Sequence, residues 1–417
     1  MQRQIWITLI ASGVLVFGVP DRAVAQDNGL GPRMLGQAPP FGPIQRLLYG
    51  RRPDLAAAAA AQSGQLTTAA ALPAAAGTFI TFDAPGACAT AGTQPGCTEA
   101  VAINPAGTIL GYSVDANGMP HGFLRDRDGT FTSFDVPGAV VYSLAFEATS
   151  TGQWPPGTSL NPAGETTGTV GVPNSAPGFI RDKDGVITTF DAPGAALTLA
   201  QSINPAGEVT GFYLDTNPNL FAHGFFRDAS GNVISFDPPG AGTDSNGCFF
   251  GLTYAEGINA AGEITGYYWD PQCLAHGFLR KRNGDFTVVD VPEFTGYTFP
   301  LSINDGGDIT GWGPDATHLA RGFVRDHNGS IAIFDLPDLR DFGPADINSA
   351  GVVVGWYVGH FGPHSFRRTS DGTLTSLDFT AAGTEGTLPT SINAKGEITG
   401  TYIDSNGVCH GFLFIPR

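Results

Sequence analysis

The chain has 417 residues and a formal net charge of −17, which argues against a nucleic-acid partner, whose phosphates it would repel. Only 14% of its residues are charged, while 58 are glycine and 31 proline. Few charges with many turn formers argue against a helical bundle and point to many short strands.

In chain order, residues 1–25 read as an export signal. Arg3 gives a basic start, residues 5–19 are apolar, and Ala23-Val24-Ala25 supply the small residues of a cleavage site. The signal carries Arg3, Arg22 and Asp21, a net +1, so its removal takes −17 to −18. No second apolar run of membrane length follows, so the mature chain is expected not to span a membrane and to be secreted or periplasmic. Residues 26–76, with Pro39-Pro40, a basic stretch at 46–52 and an alanine run at 56–61, read as a disordered Ala/Pro-rich tether.

From residue 77 onward one pattern recurs: Ile-Asn, two residues, Gly, three residues, Gly, about ten residues to a His-Gly-Phe-like triplet, then aromatic-Asp and Pro. The Asn positions are 104, 161, 204, 259, 304, 348 and 393, a period of 43 to 57 residues. Such periods mean stacked or radial units, because one copy cannot bury its own apolar face. Each copy reads as four strands. A short strand a ends at the Asn, whose Asn-Pro-Ala-Gly form (Asn104 to Gly107, Asn204 to Gly207) is a type I turn. Strand b alternates and is aromatic, strand c carries the triplet, and strand d ends at proline, which suits an edge. Two residues before each Asn stand Ala102, Ser159, Ser202, Gly257, Ser302, Asp346 and Ser391, mostly small, as expected where strands crowd an axis. Strand a is therefore innermost and strand d outermost, as in a propeller blade.

The last copy lacks strand d, and an orphan strand d at 77–85 precedes the first complete copy. The expectation is an all-β, seven-bladed β-propeller of four-stranded antiparallel blades over 77–417, closed by the N-terminal strand pairing with the last blade. Such closure leaves no exposed seam.

These copies resemble the bacterial extracellular HAF repeat family. Its triplet reads here as His121-Gly122-Phe123, His223-Gly224-Phe225, His276-Gly277-Phe278 and His410-Gly411-Phe412, while Pro177-Gly178-Phe179, Arg321-Gly322-Phe323 and His364-Ser365-Phe366 depart from it. The resemblance covers 77–417 and implies an exported, propeller-like protein. It carries over no catalytic residue.

Five cysteines in an exported chain read first as crosslinks. Cys248 and Cys273 flank one repeat and form one expected pair. Cys88, Cys97 and Cys409 leave one odd thiol, either by a local Cys88–Cys97 bond or by a bridge to Cys409.

Spacing separates scaffold from candidate site. Asn to second Gly is always 7 residues, and triplet to strand-d Asp is 14 in all six internal copies. The b–c connections and the d–a connections vary, and in an up-and-down blade both emerge on the same face. The long d–a loops 84–103, 136–160 and 238–258 therefore belong to one variable face, where function is added to a rigid scaffold. Candidate ligand-binding residues are Trp154, Phe249, Phe250, Tyr254 and Glu256, with Trp269 and Trp312 along strand b. Aromatic faces beside carboxylates suit sugars or extended polymers.

The recurring histidines sit on too wide a circle to share a metal ion and read as structural. Asp126-Arg127-Asp128-Gly129 and Asp182-Lys183-Asp184-Gly185 lack the further ligands of a calcium loop and read as hairpin turns. No phosphate loop, Cys-x-x-Cys pair or Ser-His-Asp spacing occurs, so no metal, cofactor or catalytic set is expected. The preferred reading is an exported, monomeric, non-enzymatic binding propeller for a glycan or protein. The alternative is a polysaccharide hydrolase or lyase using Glu256, Glu147 and Asp346 at the channel mouth.

Overall fold

The computed structural model describes residues 72–87, 98–116, 119–139, 159–171, 175–217, 221–242, 253–317, 320–336, 341–359, 362–380 and 384–417, with two short paired strands at Trp6–Leu9 and Leu15–Gly18. From residue 72 onward the described strands form seven four-stranded antiparallel sheets, each ordered a-b-c-d. Blade 1 comprises Thr98–Ile103, Ile109–Val114, Pro120–Arg125 and Phe131–Phe134. Blade 2 comprises Ser159–Leu160, Thr166–Thr169, Gly178–Arg181 and Ile187–Phe190. Blade 3 comprises Ala195–Ile203, Val209–Asp215, Ala222–Arg227 and Val233–Phe236. Blade 4 comprises Thr253–Ile258, Ile264–Trp269, Ala275–Arg280 and Phe286–Val288. Blade 5 comprises Phe299–Ile303, Ile309–Pro314, Ala320–Arg325 and Ile331–Phe334. Blade 6 comprises Asp341–Ile347, Val353–Gly359, Gly362–Arg368 and Leu374–Ser376. Blade 7 takes Thr384–Ile392, Ile398–Asp404 and Cys409–Pro416 from the C-terminus and its outer strand, Gly77–Phe82, from the start of the repeats. The sheets form a ring, and the expected closure is present.

The repeat motif recurs as a set because its members touch. A Cβ on the strand-b glycine would strike the carbonyl of strand a, Tyr254 for Gly266 and Leu199 for Gly211. Beside that glycine lies the triplet phenylalanine, as Phe123 lies beside Gly111, and all seven of these phenylalanines are fully buried. The triplet glycine in turn makes room for the strand-d aromatic, Gly122 for Phe134 and Gly224 for Phe236. The threonine before the strand-b glycine donates its hydroxyl to the carbonyl of the triplet Phe, as Thr210 does to Phe225 at 2.8 Å. Gly266→Ala is therefore expected to force strands a and b apart and to cost about 2 kcal/mol or more, read as a lower denaturation midpoint.

Apolar residues pack between neighbouring blades, so each interface is a small core. Ala102, Leu110, Phe134 and Val136 of blade 1 meet Leu160, Val170 and Phe179 of blade 2. At the closing seam Phe82, Ala84 and Leu413 of blade 7 meet Ala100, Ile103, Ile109 and Phe123 of blade 1. Strand-c arginines lie over the strand-d aromatic of the preceding blade, Arg181 over Phe134 and Arg280 over Phe236, as cation–π contacts. Residues 72–76, the end of the expected tether, run beside the outer strand of blade 6. Ala75 donates to the Ser376 carbonyl at 2.7 Å and Ser376 to that of Pro73 at 2.8 Å.

The cysteine expectation requires correction. No two cysteines among the described residues lie at bonding distance of one another, so no disulfide joins described strands. Cys88, Cys97 and Cys248 fall outside the described residues, so neither Cys248–Cys273 nor Cys88–Cys97 is observed. Placement explains this: Cys273 lies in the b–c connection of blade 4, and Cys409 begins strand c of blade 7. Cys409 is buried against Ile403.

Candidate functional site

The a–b turns carry the most regular polar structure in the molecule. In each of the seven copies the Asn Nδ2 donates to the main-chain carbonyl of the next copy's Asn. The bonds run from Asn104 to Asn161, Asn204, Asn259, Asn304, Asn348 and Asn393, and Asn393 returns to Asn104, at 2.9 to 3.4 Å. Each Oδ1 accepts backbone N–H groups from its own turn, as Asn204 does from Ala206 and Glu208. The invariant Asn thus does more than start a turn: seven buried amides form a closed belt around the axis. Where an acid stands four residues on, it also takes the amide, as Glu208 and Glu397 do. Arginines of the c–d turns then cross to those acids on the preceding blade. Arg282 pairs with Glu208, and Arg127 reaches Glu397 at 2.6 Å across the closing seam. The a–b and c–d turns therefore share one locked face.

Along the axis, strand a carries a β-bulge three residues before the Asn. Asp346 replaces the small residue next to it. Its Oδ1 accepts from the Ser302 hydroxyl at 2.8 Å and the Ile347 N–H, and its Oδ2 from the Ser391 hydroxyl and the Ile392 N–H at 3.0 Å. One carboxylate thereby ties the inner strands of blades 5, 6 and 7. Desolvation raises its pKa against those four donors. Glu256 occupies the bulge of blade 4; it is buried, and its Oε1 has no hydrogen-bond partner among the described residues. Burial holds its pKa well above the usual carboxylate range.

Glu99 was not anticipated. It stands where other copies place Leu199, Tyr254, Phe299 and Leu388, and burial raises its pKa to about 7 against a hydrogen bond with Tyr112. An acid in an otherwise apolar register was the signal that could have found it.

At the opposite end, each strand-c histidine bonds the Asp 14 residues on. His121 reaches Asp135, His223 Asp237, His276 Asp290 and His364 Asp378 through Nδ1 at 2.7 to 2.9 Å. His410 completes the series with Asp83 from the chain's other end. In blade 5 Arg321 makes the equivalent bidentate contact with Asp335. The constant spacing of 14 is this contact. Among the described residues no group of three or more His, Cys, Asp or Glu is placed to hold a metal ion.

The candidate ligand residues divide between two settings. Trp154, Phe249 and Phe250, with Glu147, lie outside the described residues. Tyr254 and Trp269 are buried in one cluster with Leu199, Phe212, Tyr267 and Phe299, and half-buried Trp312 packs against it. Tyr254 stacks on Tyr267 at 4.9 Å, and Trp312 lies 4.8 Å from Phe299. Tyr254, Trp269 and Trp312 are thus brought together in the aromatic interfaces of blades 3, 4 and 5, with Glu256 beside Tyr267.

No family model matches the chain, and no curated protein does. Solved structures do. A streptogramin B lyase structure matches at TM-score 0.50 and 14% identity, covering 81% of this chain and 98% of that one. The β-propeller domain of the Trilobed protease from Pyrococcus furiosus matches at 0.52 and 9%, covering 77% and 94%; it is described as having an open velcro topology, whereas the ring here is closed by strand pairing. A puromycin hydrolase S511A mutant complexed with PGG matches at 0.52 and 12%, covering 82% of this chain and 56% of that one. At these identities the likeness shows the fold. The chain is a seven-bladed β-propeller related in architecture to other propeller-bearing proteins.

Proposed function

We propose that this is an exported, monomeric binding propeller of the HAF repeat type. Its face of variable connections takes a glycan or protein ligand. The observation that carries the reading is the contrast between its two ends. One face is closed by the asparagine belt and cross-blade ion pairs, while the strand ends that lead into the b–c and d–a connections, whose lengths vary, lie at the other. The aromatic cluster of blades 3 to 5 underlies that second face, on the side where loop 238–258 enters. Export rests on residues 1–25, and no helix among the described residues is long and apolar enough to cross a membrane.

The hydrolase or lyase alternative gains no support from the described carboxylates. All four donors around Asp346 hold it within the wall, and Glu256 is buried. The test is a glycan array and a protein pull-down with the mature chain. Alanine at Trp154, or at Phe249 and Phe250 together, is expected to weaken binding about thirtyfold, the loss of an aromatic anchor worth ~2 kcal/mol. Undiminished binding by both variants would remove the assigned surface, and turnover abolished by Glu256→Gln would replace binding with catalysis.

A further inference from the structure

The histidines of blades 3 and 4, like those of blades 1 and 7, face a carboxylate at each ring nitrogen. His276 has Asp290 at 2.7 Å from Nδ1 and Asp270 at 3.2 Å from Nε2. His223 has Asp237 at 2.8 Å from Nδ1 and Asp215 at 3.8 Å from Nε2. The third neighbour is a strand-b tyrosine lying across the ring, Tyr268 at 5.4 Å and Tyr213 at 5.3 Å. A neutral imidazole carries one N–H and turns a lone pair toward the other carboxylate, so only imidazolium can hydrogen-bond both acids at His276 and attract both at His223, where Asp215 is in ion-pair range but beyond hydrogen-bond reach.

The two acids belong to different connections of the variable face. Asp270 opens the b–c connection of blade 4 and holds it by accepting the N–H groups of Gln272 and Leu274 at 2.8 and 2.9 Å. Asp215 does the same for Asn217 and Phe221 in blade 3. Asp290 and Asp237 begin the d–a connections, and Asp237 also accepts the Thr253 hydroxyl. Each histidine therefore links the b–c connection of its blade to the d–a connection.

The repeats contain their own comparison. Blade 5 places Arg321 at the same position, bonded to Asp335 and facing Asp315, so a permanent cation fits there. In blade 2, where the triplet begins with Pro177, Val172 stands at the b-strand acid's position, so cation and acid are lost together.

We propose that His223 and His276 are proton-operated fasteners of the variable face, closed as imidazolium and released as neutral imidazole. This concerns loop mobility and stands whether or not the ligand reading holds. The pKa directions agree. The Asp237 hydrogen bond outweighs desolvation and raises His223. At His276 desolvation is the largest single influence and lowers the pKa, but the bonds to Asp290 and Asp270 together override it. A folded pKa above the unfolded one places the stabilisation below about pH 6.5 and removes it as pH rises through the folded value.

Amide hydrogen exchange of the full mature chain at pH 5.5 and 8.5, corrected for intrinsic rates, tests this. Residues 215–217, 221–222 and 270–275 are expected to be protected on the order of two- to fivefold more at the lower pH, the range of a partly exposed ion pair. The a–b turns of the locked face should show no such change. His276→Arg should keep residues 270–275 protected at both pH values, and His276→Gln should leave them unprotected at both. Equal protection of the wild-type segments at the two pH values overturns the proposal. So does a pH response surviving in His276→Arg, since the proton would then act elsewhere.

Discussion

A chain beginning after residue 85 is expected to lose the closed ring and most of its resistance to denaturant. The strand Gly77–Phe82 pairs with Cys409–Pro416 from Gly77↔Pro416 to Phe82↔Gly411. Phe79 packs within about 5.5 Å of Phe379, Phe412 and Phe414, and Phe82 sits against Phe123 and Phe131 with Arg125 over its ring. Burying two phenylalanines contributes roughly 3–6 kcal/mol, a large share of a typical total of ~5–15 kcal/mol. Removing the strand also exposes the edge of strand c, a template for pairing with another chain. The truncated protein should unfold at a markedly lower urea concentration and self-associate. A peptide of residues 72–86 added in trans should restore the midpoint in a concentration-dependent way. An unchanged midpoint without the peptide would show that the ring is held by blade interfaces alone.

The architecture was legible because propeller blades are local and repeated. Strand order, turn type and circular bookkeeping all follow from one motif read seven times, and the orphan strand at 77–85 had no use in an open stack. Roles that depend on neighbouring blades were less legible. The asparagine could be assigned to its own turn, since that contact spans four residues, but its amide reaches a residue 43 to 57 positions away, or 289 at the seam. The spacing of 14 from triplet to Asp was visible as a constant without its cause. The second acid beside the strand-c cation also had a signature, an Asp 11 residues after the repeat Asn at Asp115, Asp215, Asp270, Asp315 and Asp404. Strand aromatics were harder to place, because alternation tells which side of a sheet a residue takes, while burial depends on the next blade. Tyr254 and Trp269 face a neighbouring sheet and are buried there.

The asparagine belt makes the sharpest single-residue test. Asn204 is 1% exposed and makes four side-chain hydrogen bonds: two accepted from Ala206 and Glu208, and two donated to Glu208 Oε2 and the Asn259 carbonyl. Asn204→Ala strips partners from two N–H groups, a carbonyl and a carboxylate at once. At about 1–3 kcal/mol for a buried group left unsatisfied, the loss should be about 2 kcal/mol, since Arg282 still pairs with Glu208, the Gly262 N–H still donates to the Asn259 carbonyl and the Ala206 N–H can reach water. Asn204→Asp is nearly isosteric but turns an oxygen toward both the Asn259 carbonyl and the Glu208 carboxylate. It should be at least as damaging at neutral pH, and the damage should lessen as acid protonates the introduced carboxyl. Alanine at exposed Asn283, which bonds only within its own turn, should stay within ~0.5 kcal/mol of the parent. Denaturant titrations at pH 5 and pH 8 measure all three. If Asn204→Ala unfolds with the parent midpoint, the belt is an accompaniment of blade packing and not a cause of ring stability.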